Sequence, residues 1–138
     1  RDLLGDSAGG YLAAAGDAFS GKPQERRVIL ANPITDLTLD RWGEFAPEGA
    51  DKAARSPALH IGTQCSPTLL IHGEADTTVS PEHSLRYPDA MQKAGVPCDL
   101  LLLENTTHAF LLAEYYKDTA VCETAIEWLY AKLKIKSK

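Results

Sequence analysis

Apolar residues along the 138-residue chain fall into two kinds of pattern. The first is the short continuous run: Leu3-Leu4, Val28-Ile29-Leu30-Ala31, Thr68-Leu69-Leu70-Ile71-His72, and a third full strand over 99–103. Each has the length of a strand, and unbroken apolar character predicts burial on both faces. Asn32-Pro33 and Gly73 stop the second and third runs. The second pattern is helical. Ala8, Tyr11, Leu12, Ala15, Ala18 and Phe19 recur at helical spacing, predicting an amphipathic helix with those residues inward, ended near Gly21 and Pro23. Ser80-Pro81 marks another helix start, with Ser as cap and Pro at the first helical position, running to Gly95. Pro88 inside it costs about 3 kcal/mol and predicts a kink or an early break. A last helix is expected over 119–134, its inner face built on Val121, Ala125, Trp128 and Leu129. Residues 36–64 are mixed and polar, with a short helix expected near 50–54.

Strands alternating with helices predict an α/β fold, a parallel sheet flanked by helices. Ligands in such sheets bind beyond the carboxyl ends of the strands, and the reactive side chains fall there. Gly5-Asp6-Ser7-Ala8-Gly9-Gly10 joins the first strand to the first helix. Gly-x-Ser-x-Gly alone would occur by chance in roughly one chain in 25 of this length. Its setting makes it more specific: an apolar strand before, a strong helix after, and small neighbours, as a strained nucleophile elbow requires. The helix start also aims free N–H groups at a developing oxyanion, the Ala8 N–H among them. A glycine-rich turn that only packs or binds phosphate is the bland alternative, but the dinucleotide and P-loop spacings are missing.

A serine nucleophile needs a base and a group to orient that base. Asp76 follows the strand ending at His72-Gly73, and His108 follows the next strand, in the order Ser, Asp, His. Asp36, after the strand over 28–31, is a second candidate acid, though a turn role after Pro33 is the more economical reading. Asp6 is expected to bond nearby backbone and His72 to be structural at its strand end. His60 and His83 read as surface or loop residues, and Glu74 and Glu104 as members of the site rim.

The stretches Gly-Asp-Ser-Ala-Gly-Gly-Tyr-Leu-Ala-Ala, Leu-Leu-Ile-His-Gly-Glu-Ala-Asp-Thr-Thr-Val and Thr-His-Ala-Phe resemble α/β-hydrolase esterases of the hormone-sensitive-lipase-like and acetyl-esterase type. The resemblance covers essentially the whole chain. It implies the C-terminal half of an α/β-hydrolase fold, strands five to eight, with residues 1–138 forming part of a single domain. It also implies a carboxylesterase working through an acyl-enzyme, with Ser7 as nucleophile, His108 as general base and acid, and Asp76 as orienting carboxylate. Small acyl esters, including acetyl groups on carbohydrate, are the implied substrates; Arg55-Ser56-Pro57-Ala58 carries the carbohydrate-esterase likeness. The His-Gly-Gly segment that supplies further oxyanion donors in that family is not among these residues, and the sequence opens in what reads as the middle of a fold. Two other readings stand beside this one: an amide hydrolase of the formamidase type, and a non-catalytic hydrolase-like chain.

Composition changes this picture little. A net charge of −5, with the only basic cluster at Lys132, Lys134, Lys136 and Lys138, argues against nucleic acid as a partner. No apolar run approaches the roughly 18 residues of a membrane span. Cys65, Cys98 and Cys122 lack zinc or redox spacing and read as reduced thiols. No metal and no cofactor is implied. Asn105-Thr106-Thr107 fits the glycosylation pattern but lies so close to His108 that it reads as unused.

Overall fold

The computed structural model describes residues 2–108 and Glu127; apart from Glu127, the helix expected over 119–134, with Cys122, lies outside the described residues. The elements run β1 (Leu3–Asp6), α1 (Ala8–Ala18), β2 (Val28–Ala31), β3 (Thr68–Gly73), α2 (Glu82–Leu85), α3 (Tyr87–Lys93) and β4 (Cys98–Leu103). The four strands form one sheet in sequential order, every pair parallel. Leu4 pairs with Ile29, Ile29 with Leu69 and Leu69 with Asp99, so side chains sort into rows across the sheet.

The unbroken apolar runs are explained by this placement. Side chains alternate between faces along a strand. Val28, Leu30 and Leu70 face a core shared with Ala13, Ala14, Ala18, Tyr87 and Met91, whereas Ile29, Ala31, Leu69 and Ile71 form the opposite cluster. Every residue of β2 and β3 is buried. Truncating a fully buried leucine such as Leu30 or Leu70 to alanine costs roughly 2–5 kcal/mol.

The inward face of α1 differs from the expected one. Gly10, Ala13, Ala14, Asp17 and Ala18 are buried, while Leu12 is 70% and Phe19 46% exposed. Close approach decides this: a Cβ on Gly10 would lie 2.8 Å from the Pro33 side chain, so the helix seats its smallest residues against the strand ends. Asp17 is tolerated inside because its carboxylate accepts the Ser66 N–H (2.8 Å) and hydroxyl (2.6 Å) and pairs with Arg26 at 3.1 Å.

The region after β3 also departs from one continuous helix. It breaks at Arg86, so Pro88 occupies the first turn of α3, where its missing N–H is no loss. Helix α2 starts one residue later than expected, at Glu82 with Pro81 in the cap position, and Ser80 Oγ accepts the Glu82 N–H at 3.2 Å. Over 52–55 the chain forms turns rather than a helix, followed by a 3-10 turn at Pro57–Leu59; another 3-10 turn, Trp42–Phe45, gave no sequence signal.

Candidate functional site at the strand ends

Ser7 sits at the junction of β1 and α1 with φ 56° and ψ −116°, outside the conformations an L-residue favours. Its N–H donates to Ala31 O at 3.0 Å, and its carbonyl accepts from Tyr11 and Ile34. The tightness of the turn explains Gly5, whose added Cβ would meet Gly9 O at 2.2 Å. Gly9, in contrast, faces open space. Ala8 holds the first position of α1, where a backbone N–H has no carbonyl one turn earlier.

Ser7 after β1, Asp76 after β3 and His108 after β4 meet. His108 Nε2 lies 2.8 Å from Ser7 Oγ, and His108 Nδ1 lies 2.7 Å from Asp76 Oδ2. Both bonds are satisfied by a neutral ring protonated at Nδ1, accepting the Ser7 hydroxyl proton at Nε2 and donating to the carboxylate. Asp76 is buried, and its Oδ1 accepts the N–H groups of Thr78 (2.9 Å) and Val79 (2.8 Å). Turn backbone thus holds one carboxylate oxygen and leaves the other for His108.

His72 stands behind this carboxylate, fully buried, its Nε2 2.9 Å from Val79 O and 3.4 Å from Asp76 Oδ2, and its Nδ1 2.7 Å from Ser84 Oγ. Burial pushes its pKa below the usual imidazole value, against the opposing pull of Val79 O and Asp76. Burial raises the Asp6 carboxyl, offset in part by the nearby His108.

His83 is fully buried rather than a surface residue: its Nδ1 accepts the N–H groups of Thr35 (3.0 Å) and Asp36 (3.2 Å), and its Nε2 lies 3.3 Å from Asp40 Oδ2. It ties α2 to the segment after β2. Asp36 pairs with Arg86 at 2.8 Å and also accepts from Thr38 in a local turn; its described bonds are structural, and it is Asp76 that meets His108. His60 is exposed, as expected.

An apolar pocket of about 370 Å³ opens beside the elbow, lined by Ala8, Tyr11, Ile34, Leu37, Trp42 and Arg55. Tyr11 OH donates to Arg55 O at 2.9 Å, pinning the first turn of α1 to the pocket's far wall. A second cleft, about 600 Å³, is lined by Asp40, Arg41, Asp76, Thr77, Thr78 and Ser80. Among the described residues no group of three or more His, Cys, Asp or Glu could hold a metal ion, and no helix is long and apolar enough to cross a membrane.

A parallel sheet carrying a strained serine at the turn from strand to helix, with the other polar groups at the same strand ends, is an α/β-hydrolase architecture. Within that superfamily the chain belongs to the prolyl oligopeptidase family, which it matches over residues 3–136. It is 25% identical to the human acylamino-acid-releasing enzyme over 152 aligned positions, covering 95% of this chain and 20% of that protein. Among solved structures it resembles a sugar hydrolase from Lactococcus lactis, with TM-score 0.79 and 28% identity, covering 96% of this chain and 58% of that one. It also resembles an acetyl ester-xyloside bifunctional hydrolase from Caldicellulosiruptor lactoaceticus, with TM-score 0.68 and 26% identity, covering 91% and 55%. The chain spans between 4% and 20% of the length of the curated relatives it matches.

Proposed function

We propose that this chain carries the nucleophile, base and acid of a serine carboxylesterase acting on small acyl esters, acetyl groups on carbohydrate among them. The observation that carries the reading is the unbroken relay from Ser7 Oγ through His108 to Asp76, with both hydrogen bonds under 3 Å. In acylation the Ser7 Oγ electron pair forms a bond to the ester carbonyl carbon while its proton passes to His108 Nε2. Asp76 steadies the imidazolium, and the Ala8 N–H faces the developing oxyanion. His108 then returns the proton to the departing alcohol, and water repeats the sequence on the acyl-enzyme to release the acid.

The apolar pocket beside Ala8 suits a short acyl group, and the hydrogen-bonding side chains of Asp40, Thr77 and Ser80 in the second cleft suit a hydroxyl-rich alcohol. The acetyl ester-xyloside hydrolase and the sugar hydrolase among its structural relatives support that substrate class. A second reading, hydrolysis of an amide or peptide bond, is favoured by the family match and by the acylamino-acid-releasing relative. The deciding experiment labels the chain with a fluorophosphonate and compares hydrolysis of p-nitrophenyl acetate with that of an acyl-amino-acid p-nitroanilide. Labelling that survives Ser7→Ala would sink the nucleophile assignment, and faster turnover of the anilide would favour the peptidase reading.

A further inference from the structure

Ser7 follows β1 and His108 follows β4, the two outer strands of the described sheet. Three strand spacings, about 14 Å, separate those strands. The segment 104–108 must therefore run back across the ends of β3 and β2 to bring His108 to Ser7. Two contacts mark that path. Over β3, Thr106 O accepts the Ala75 N–H at 3.0 Å. Over β2, the side chain of Asn32, fully buried, donates from Nδ2 to His108 O at 2.8 Å. The Oδ1 of the same amide accepts the Gly73 N–H at 3.0 Å. A carbonyl faces the nitrogen and an N–H faces the oxygen, so the orientation of the amide is dictated by its partners.

We infer that Asn32 is a positioning residue for the reaction proposed above: it clamps the backbone of His108 to the strand ends so that the imidazole spans Ser7 and Asp76. The inference rests on that reading of Ser7 and His108. Three requirements coincide at this position. The φ of Asn32 is 43°, a left-handed conformation that Asn, Asp and Gly adopt most readily. The His108 carbonyl needs a donor, and the Gly73 N–H needs an acceptor. An aspartate carboxylate supplies no donor and Gly neither group, so of these three residues only Asn meets all three needs without taking up a proton. Proton transfer from Ser7 requires Nε2 within about 2.6–3.2 Å of Oγ, and a misplacement near 1 Å costs about 10²-fold in rate.

The test compares wild type with Asn32→Asp and Asn32→Gly, both compatible with the left-handed backbone. The rate of Ser7 phosphonylation by a fluorophosphonate is followed against pH, with kcat and KM for p-nitrophenyl acetate and the urea unfolding midpoint measured in parallel. Positioning predicts a plateau labelling rate and a kcat lower by about 10–10² in both variants, with KM within about twofold of wild type. Asn32→Asp keeps the Gly73 acceptor and, once ionised, replaces the donor to His108 with an oxygen that repels its carbonyl, so its labelling rate at pH values where the carboxyl is ionised decides the matter if Asn32→Gly does not fold. A folded variant labelled at the wild-type plateau rate overturns the inference. Wild type that is not labelled, or labelling that persists in Ser7→Ala, overturns the esterase reading instead.

Discussion

His108 Nε2 lies 2.8 Å from Ser7 Oγ across 101 residues of sequence. The contact closes a path that runs over all four strand ends, through Thr106 at β3 and Asn32 at β2. Its value for the proposed chemistry depends on the ring's tautomer, which Asp76 sets from the far side at 2.7 Å.

Asp76→Asn is therefore expected to leave the fold intact and lower kcat by about 10⁴, because an amide at this position favours the wrong imidazole tautomer. Steady-state hydrolysis of p-nitrophenyl acetate measures this. A loss below tenfold would remove Asp76 from the proposed relay.

Two glycines separate close approach from sequence pattern. A Cβ on Gly73 would meet Thr106 O at 2.2 Å and Thr107 O at 3.1 Å, pushing on the backbone that leads to His108. Gly73→Ala is expected to cost about 1–3 kcal/mol as overpacking, together with a substantial fall in activity. Gly9 lies inside α1 with open space around it, so Gly9→Ala is expected to be neutral or to gain up to about 1 kcal/mol from helix propensity. Urea midpoints of the two variants should move in opposite directions or by very unequal amounts.

The inward face of α1 can be checked the same way. Leu12→Lys changes an exposed side chain and should move stability by no more than about 0.5 kcal/mol. Ala14→Leu forces extra volume into the core beside Val28 and Leu30 and should cost about 1–3 kcal/mol. The reverse ranking would mean that Leu12 faces inward in solution.

Acidification should destabilise the fold through His72 and His83. Burial lowers the folded-state pKa of both below the ordinary 6.5; for His83 the Asp40 carboxylate opposes the shift. Above about pH 6.5 neither state binds these protons and the stability they permit is fully present. Below it the unfolded chain protonates while the folded one does not, so stability falls by up to about 1.4 kcal/mol per pH unit for each histidine. The loss levels off once the folded-state pKa values are reached. A urea midpoint that declines from pH 6.5 to 5 is the expected result, and histidine NMR titration assigns it. Ring pKa values at or above 6.5 would contradict it.

The strands were legible because burial on both faces leaves an unmistakable composition: Val28-Ile29-Leu30-Ala31 and the run from Thr68 need no partner to be recognised. The positions of Ser7, Asp76 and His108 were legible for a related reason, since each lies just beyond a strand end. Hydrophobic periodicity does not reveal the inner face of α1, because it rewards large side chains whereas the approach to Pro33 leaves no room for a Cβ at Gly10. The burial of His83 is not legible locally, because it is compensated by N–H groups of Thr35 and Asp36, which lie 48 and 47 residues away. Local sequence marks Asn32 only as the end of a strand; nothing nearby reveals that both ends of its amide are hydrogen-bonded.

The sequence by itself determined the strand–helix alternation, the strained turn at Ser7 and the chain order of the polar residues that follow, because these depend on neighbours within a few positions. Only the tertiary structure decided that Ser7, His108 and Asp76 touch, which side of α1 is inside, and that Asn32 bonds both His108 and Gly73. Those outcomes depend on distances between strand ends set by sheet order and register, and no local pattern encodes such distances.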